Sequence, residues 1–195
     1  MIHCLKQHYL NFTILKYNNR WLTTKYEANE KIKFLFFWGH QPSKDGSITK
    51  TCFSQWWESP FQVEGITYQT AEHWMMAAKA RLFNDDVNLQ KVLQSGTPAA
   101  AKKLGRAVKN FDPLVWDQHK FNLVVEGNYH KFSQHATLKT FLLNTADRVI
   151  VEASPVDKIW GIGMAADHVA VENPSSWKGE NLLGYALMEV RDQLQ

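Results

Sequence analysis

The sequence predicts an α+β fold, a single helix-dominated domain with a few short strands. Two observations carry this. Helix-opening devices recur through the second half of the chain, and the β-prone stretches are short and far apart. Nothing repeats, and no low-complexity tract interrupts the 195 residues.

The elements follow in order. Residues 1–32 are rich in Asn, Lys and Tyr, lack Gly and Pro, and end in the charged stretch 25–33. They read as an N-terminal extension that packs on the main domain, residues 33–195, as a strand pair or a short helix. Residues 32–38 are β-prone and read as a buried strand, followed by a loop marked by Pro42 and Asp45-Gly46. Residues 61–68 form a predicted hairpin around Glu64-Gly65. A helix then runs from Ala71 to about Phe83, with Thr70 as N-cap and one apolar stripe through Ala71, Trp74, Met75, Ala78 and Leu82. Residues 86–94 make a short helix. Thr97-Pro98 opens another, with Gly105 as its stop, and Asp112-Pro113 opens a longer one through Val115, Trp116, His119, Leu123 and Glu126. Residues 135–143 are helical, 149–152 a strand, and 181–194 the last helix, with an irregular loop through Gly161, Gly163 and Pro174 before it.

Composition narrows the function. Hydrophobic residues make up 45% of the chain, which therefore folds rather than staying disordered. Aromatic residues reach 13% and include 8 Trp, suited to a thick core or to stacking on flat ligands. A net charge of +3 is weak support for a phosphate-bearing partner and no sign of a protein that coats nucleic acid. The 2 cysteines, Cys4 and Cys52, form no CxxC, which argues against a disulfide framework or a thiolate metal site and fits a reducing compartment. No signal-peptide core and no membrane span is present, so the chain reads as cytoplasmic. The 8 histidines include no HExxH, and neither a P-loop nor Gly-x-Ser-x-Gly occurs, so no metal or cofactor is expected.

Four segments carry candidate chemistry. Glu72 falls in the first turn of its helix, beside the apolar stripe. It either complements the helix dipole or lines a pocket beneath aromatic residues. Asp157-x-x-Trp160-Gly161-x-Gly163 joins an acid and a stacking ring to a turn whose N–H groups can approach a ligand. Each also has a plain structural reading, as turn and core plug. Asn181 stands where the last helix begins and either caps it or marks amides open to phosphate. Arg106 lies just past a helix end, where most arginines are solvated but where a guanidinium also suits phosphate. Lys79 follows Glu72 by seven residues, two helical turns, so both point to one side about 10 Å apart.

Taken together and in order, Phe53-Ser54-Gln55-Trp56, Gly65 to Glu72-His73, Lys79, Gly105-Arg106, Trp116, Lys131-Phe132, Asp157-x-x-Trp160-Gly161-x-Gly163 and Asn181-x-Leu183-Gly184 with Met188 and Arg191 resemble the NADAR (YbiA-like) family. The resemblance spans about residues 33–195. Trp38-Gly39-His40 and Ser54-Gln55-Trp56-Trp57 look like its longer branch. Short members carry Asn where this chain has Gln55. The resemblance implies cleavage of an N-glycosidic bond at a phosphorylated ribose, without a cofactor. The implied substrate is either ADP-ribose linked to guanine in nucleic acid or a ribosylaminopyrimidine phosphate of riboflavin synthesis. It also implies Glu72 and Asp157 as catalytic groups and Trp160, Gly161, Gly163, Lys79, Arg106, Asn181, Gln55 and Trp38 as substrate contacts. Two other readings remain: a module that holds ADP-ribose or NAD without cleaving it, and a structural domain whose tryptophans are core.

Overall fold

The computed structural model describes residues 15–195; Cys4 and the first part of the predicted extension lie outside the described residues. Seven helices and four short strands make up the rest. They are α1 (Asn19–Glu27), β1 (Phe34–Phe37), β2 (Phe61–Val63), β3 (Ile66–Tyr68), α2 (Ala71–Leu82) and α3 (Asp86–Leu93). After these come α4 (Pro98–Arg106), α5 (Pro113–Gln134), α6 (Ala136–Leu143), β4 (Val149–Glu152) and α7 (Leu182–Gln193). The α+β, helix-dominated fold expected from the sequence is the one observed.

The capping devices work as expected. Thr70 accepts from His73 N, Thr97 from Ala100 N, and Asp112 from Leu114 N and Val115 N, each satisfying N–H groups that the first turn leaves open. The hairpin β2–β3 turns through Glu64 and Gly65 at φ 49° and 79°, the paired left-handed residues of a tight two-residue turn.

Two sequence expectations give way to tertiary packing. The helix α2 is buried almost all round, from Ala71 through Ala78, rather than along one stripe, because α3, α4 and α5 all pack on it. Gly105 does not stop α4. It lies inside the helix, where a Cβ would meet Met76 Sδ at 1.9 Å, so it is the point where α4 presses on α2. Gly127 does the same on α5: its missing side chain admits the Trp74 ring, whose Nε1 donates to Leu123 O at 2.7 Å.

Parallel pairing of β1 with β4 brings Phe34 opposite Val149 and Phe37 opposite Glu152. Residues 149–151 are fully buried under α7, whereas β1 is only half-buried and of its residues Phe37 alone reaches the core. The carboxyl ends of both strands therefore open at one edge, the place where parallel strands commonly present a ligand site.

The first described residues pack on this frame. Leu22 is fully buried, a contribution of about 2 kcal/mol on hydrophobic grounds. Asn19 donates to Gly179 O and accepts from Tyr185 Oη, and Tyr17 donates to Asp192. No helix among the described residues is long and apolar enough to cross a membrane.

Candidate active site

Thr70 sets the start of α2, and Glu72 N donates to Gln55 O at 2.9 Å, so the acid is held from two sides by backbone. Glu72 is only 3% exposed, and its buried Oε1 has no hydrogen-bond partner. Burial pushes its pKa up to about 7, against the pull of Lys102 and of the Trp56 side chain, which hydrogen-bonds to the carboxyl. Asp157 pushes it further up and Arg106 pulls it down. A carboxylate that only balanced a helix dipole would sit in water with its pKa near the usual value. An orphaned buried oxygen with a near-neutral pKa instead makes Glu72 a candidate acid or base.

Glu152, which no motif along the chain marks, is the second carboxyl. It closes β4, and its Oε2 is buried without a partner. Burial raises its pKa to about 8, and the negative charges of Asp157 and Glu72 add to that, while Lys102 opposes them. The backbone of Glu152 is fixed by Asn181 Oδ1, which accepts from its N–H at 3.0 Å, and by Ile162 N, which donates to its carbonyl at 3.0 Å. Three acids from α2, β4 and the following loop thus feel one another's charge, with Lys102 of α4 opposing both glutamates and Arg106 opposing Glu72. The only sequence signal for Glu152 was an acid ending an otherwise apolar strand.

The other predicted residues divide. Asp157 joins the cluster, but its Oδ1 accepts from Ile159 N and Trp160 N, so that oxygen also shapes the loop. Trp160 is half-buried against the core beside the cluster, and Trp38 is 57% exposed at the end of β1. Gln55 is buried, and its side chain donates to Asn128; its carbonyl is what holds Glu72. Gly161 admits a close backbone crossing, since a Cβ there would lie 2.8 Å from Glu152 O.

Three expectations are corrected. Asn181, fully buried at φ 55°, makes no side-chain cap; its side chain bridges Ile150 O and Glu152 N instead. The amides at the start of α7 are not open to phosphate, because residues 181–183 donate to the carbonyls of Gly161, Ile159 and Trp160. In the Gly161–Gly163 turn two amides are likewise engaged, Ile162 N donating to Glu152 O and Gly163 N to Asp157 O. Lys79 does not face the acid cluster. Its Nζ lies 3.9 Å from the centre of the Phe111 ring and 5.4 Å from that of Trp116, and burial lowers its pKa. Lys102 takes its place: it shares a face of α4 with Arg106 at four-residue spacing and lies over the Trp56 ring at 5.8 Å.

Two neighbours of the site are structural. His73 bonds Thr70 Oγ1 and Ser95 O, and burial lowers its pKa. Lys131 is wholly buried and donates to Cys52 O and Ser54 O, securing the segment that delivers Gln55 and Trp56.

Comparison with known proteins places the chain in a family. A family model described as the NADAR domain matches residues 36–195. The chain belongs to the NADAR domain family. It is similar to an N-glycosidase of Acanthamoeba polyphaga mimivirus, with 43% identity over 85% of this chain and 99% of that protein. It is also similar to N-glycosidase YbiA of Escherichia coli, with 33% identity over 73% of this chain and 78% of that one. The NMR structure of the E. coli protein YbiA superposes with a TM-score of 0.66 at 29% identity, covering 84% of this chain and 86% of the other. The NADAR match includes every residue of the acid cluster and both of its cations.

Proposed function

We propose that this NADAR protein is an N-glycosidase that hydrolyses the ribosyl C–N bond of a phosphorylated ribose conjugate, with Glu72 as the group that stabilises the reacting sugar. The observation that carries this is the buried, half-partnered Glu72 carboxyl with its pKa near neutrality. As the C–N bond breaks, positive charge grows on the ribose ring. An ionised Glu72 in a dry setting stabilises that charge and can take a proton from the attacking water. The names of the relatives, N-glycosidases from a virus and from bacteria, point the same way.

Two substrate classes fit the site: ADP-ribose linked to guanine in nucleic acid, and ribosylaminopyrimidine phosphates. Trp160 and Trp56 offer flat faces to a departing base, and Lys102 and Arg106 offer charge to a phosphate. The test is incubation of the purified protein with each class, followed by chromatography of the products. Release of the free base with ribose phosphate or ADP-ribose supports the reading. Tight binding without any product would make the protein a holding module instead.

Two further outcomes are expected here. Trp160→Ala should weaken substrate binding by about 1–3 kcal/mol, the range of an aromatic stack on a base, and Trp160→Phe should keep part of it. Isothermal titration checks this; unchanged affinity in a folded Ala variant would remove Trp160 from the ligand surface. Lys102→Ala and Arg106→Ala should each weaken phosphorylated ligands by about 10- to 100-fold relative to their dephosphorylated forms, with the gap shrinking at high salt. Lys79→Ala should show no such preference, since its ammonium is turned onto Phe111 and Trp116. Equal losses for both ligand forms in the α4 variants would argue against a phosphate contact.

A further inference from the structure

Glu152 closes a strand that is otherwise apolar, at the edge where β1 and β4 both end. A structural role would be served there by glutamine or leucine. Instead a carboxyl stands with Oε2 buried and unpartnered, facing Glu72 from α2, Asp157 from the loop and Lys102 from α4. Among the described residues no ion pair joins any of these three acids to a cation. The unfavourable placement is enforced on both sides of the peptide, by Asn181 and by Ile162. Gly161 and Gly184 both lack the side chain that would push the strand away: a Cβ on Gly184 would lie 2.1 Å from Ile150 O. The fold thus holds a second carboxyl beside Glu72 with no internal partner for it.

We infer that Glu152 is the second catalytic carboxyl of this site, the acid that gives its proton to the nitrogen leaving the ribose. The inference rests on the N-glycosidase reading and adds to it the division of labour between two acids. The C1′–N bond breaks with its electron pair going to nitrogen, and the Glu152 proton joins that nitrogen. The oxygen of one water bonds to C1′, and the proton it releases goes to the Glu72 carboxylate. Exchange with solvent then returns Glu72 to its ionised form and Glu152 to its protonated form. The environments agree with these roles: Trp56, Lys102 and Arg106 all favour the ionised form of Glu72, whereas only Lys102 does so for Glu152, which the charges of Asp157 and Glu72 push towards its protonated form.

The test uses a series of 5-phosphoribosyl conjugates that differ only in the basicity of the leaving nitrogen, followed by single-turnover kinetics with wild type, Glu152→Gln and Glu72→Gln. A general acid matters most where the leaving group most needs a proton. Glu152→Gln should slow the most basic leaving group by about 100-fold or more and the least basic by less than tenfold. Glu72→Gln should slow the whole series alike. The wild type gives an independent answer without mutation: above about pH 8 its rate should fall for basic leaving groups and not for the least basic. A uniform loss, or no loss, across the series in Glu152→Gln together with a wild-type profile indifferent to leaving group overturns the assignment. A wild type that cleaves no member of the series overturns the N-glycosidase reading itself, and the wild-type arm alone reveals it.

Discussion

Glu72→Gln should lower turnover by about two to three orders of magnitude while leaving substrate affinity within a few-fold of wild type. Glutamine keeps the volume and can still accept from Trp56, but it carries no charge for the oxocarbenium-like sugar. The same change should raise stability, and the sign follows from linkage. Glu72 binds its proton more tightly folded, with a pKa of about 7, than at the ordinary value of 4.5. Between those values the folded state holds more protons than the unfolded chain, so stability falls as pH rises through that window. Above pH 7 the full penalty applies, up to about 3 kcal/mol, and glutamine removes it. Melting curves of both proteins should coincide near pH 4.5 and diverge by pH 8, the variant melting higher. A variant that loses stability at pH 8 and keeps its turnover would make Glu72 an ordinary structural acid.

Gly184→Ala should be among the most damaging single changes. The new Cβ would lie 2.1 Å from Ile150 O and 2.6 Å from both polar atoms of the Asn181 side chain, and the first of these is backbone that cannot turn aside. Overpacking of this kind costs about 3 kcal/mol, which in a chain of this size lowers the melting temperature by roughly 6–12 °C. Because the displaced strand is the one that carries Glu152, turnover in the surviving folded protein should fall more than affinity does. Gly96→Ala is the control: it is exposed, with nothing within 4 Å of the added carbon, and should melt within about 1–2 °C of wild type. Equal melting temperatures for the two variants would mean that α7 and β4 have room to separate.

What could be read along the chain was local. Thr70, Thr97 and Asp112 announce helix starts because a side-chain oxygen and a few following amides decide them. Glu72 was legible for that reason, as an acid in the first turn of a capped helix. The expectations that changed depended on what lies across from a residue. Helical spacing puts Lys79 and Glu72 on one side, yet Phe111 and Trp116 from outside the helix capture the ammonium. Asn181 is a common N-cap residue, but buried carbonyl and amide groups of β4 outcompete the helix for its side chain. Gly105 looks like a stop and is a crossing point, a difference set entirely by Met76. Glu152, Lys102 and Trp56 converge on Glu72 from separate elements, and no spacing along the chain records that.

The most direct test of the central claim is the pH dependence of single-turnover cleavage by wild type and Glu72→Gln on whichever phosphorylated N-riboside gives product. If Glu72 acts as the ionised carboxylate, the wild-type rate should climb about tenfold per pH unit below pH 7 and level off between about pH 7 and 8, before Glu152 loses its proton. The residual rate of Glu72→Gln should lack that limb. A wild-type rate that is flat between pH 5 and 7, or a limb that persists in the Gln variant, would contradict the assignment of the chemistry to Glu72.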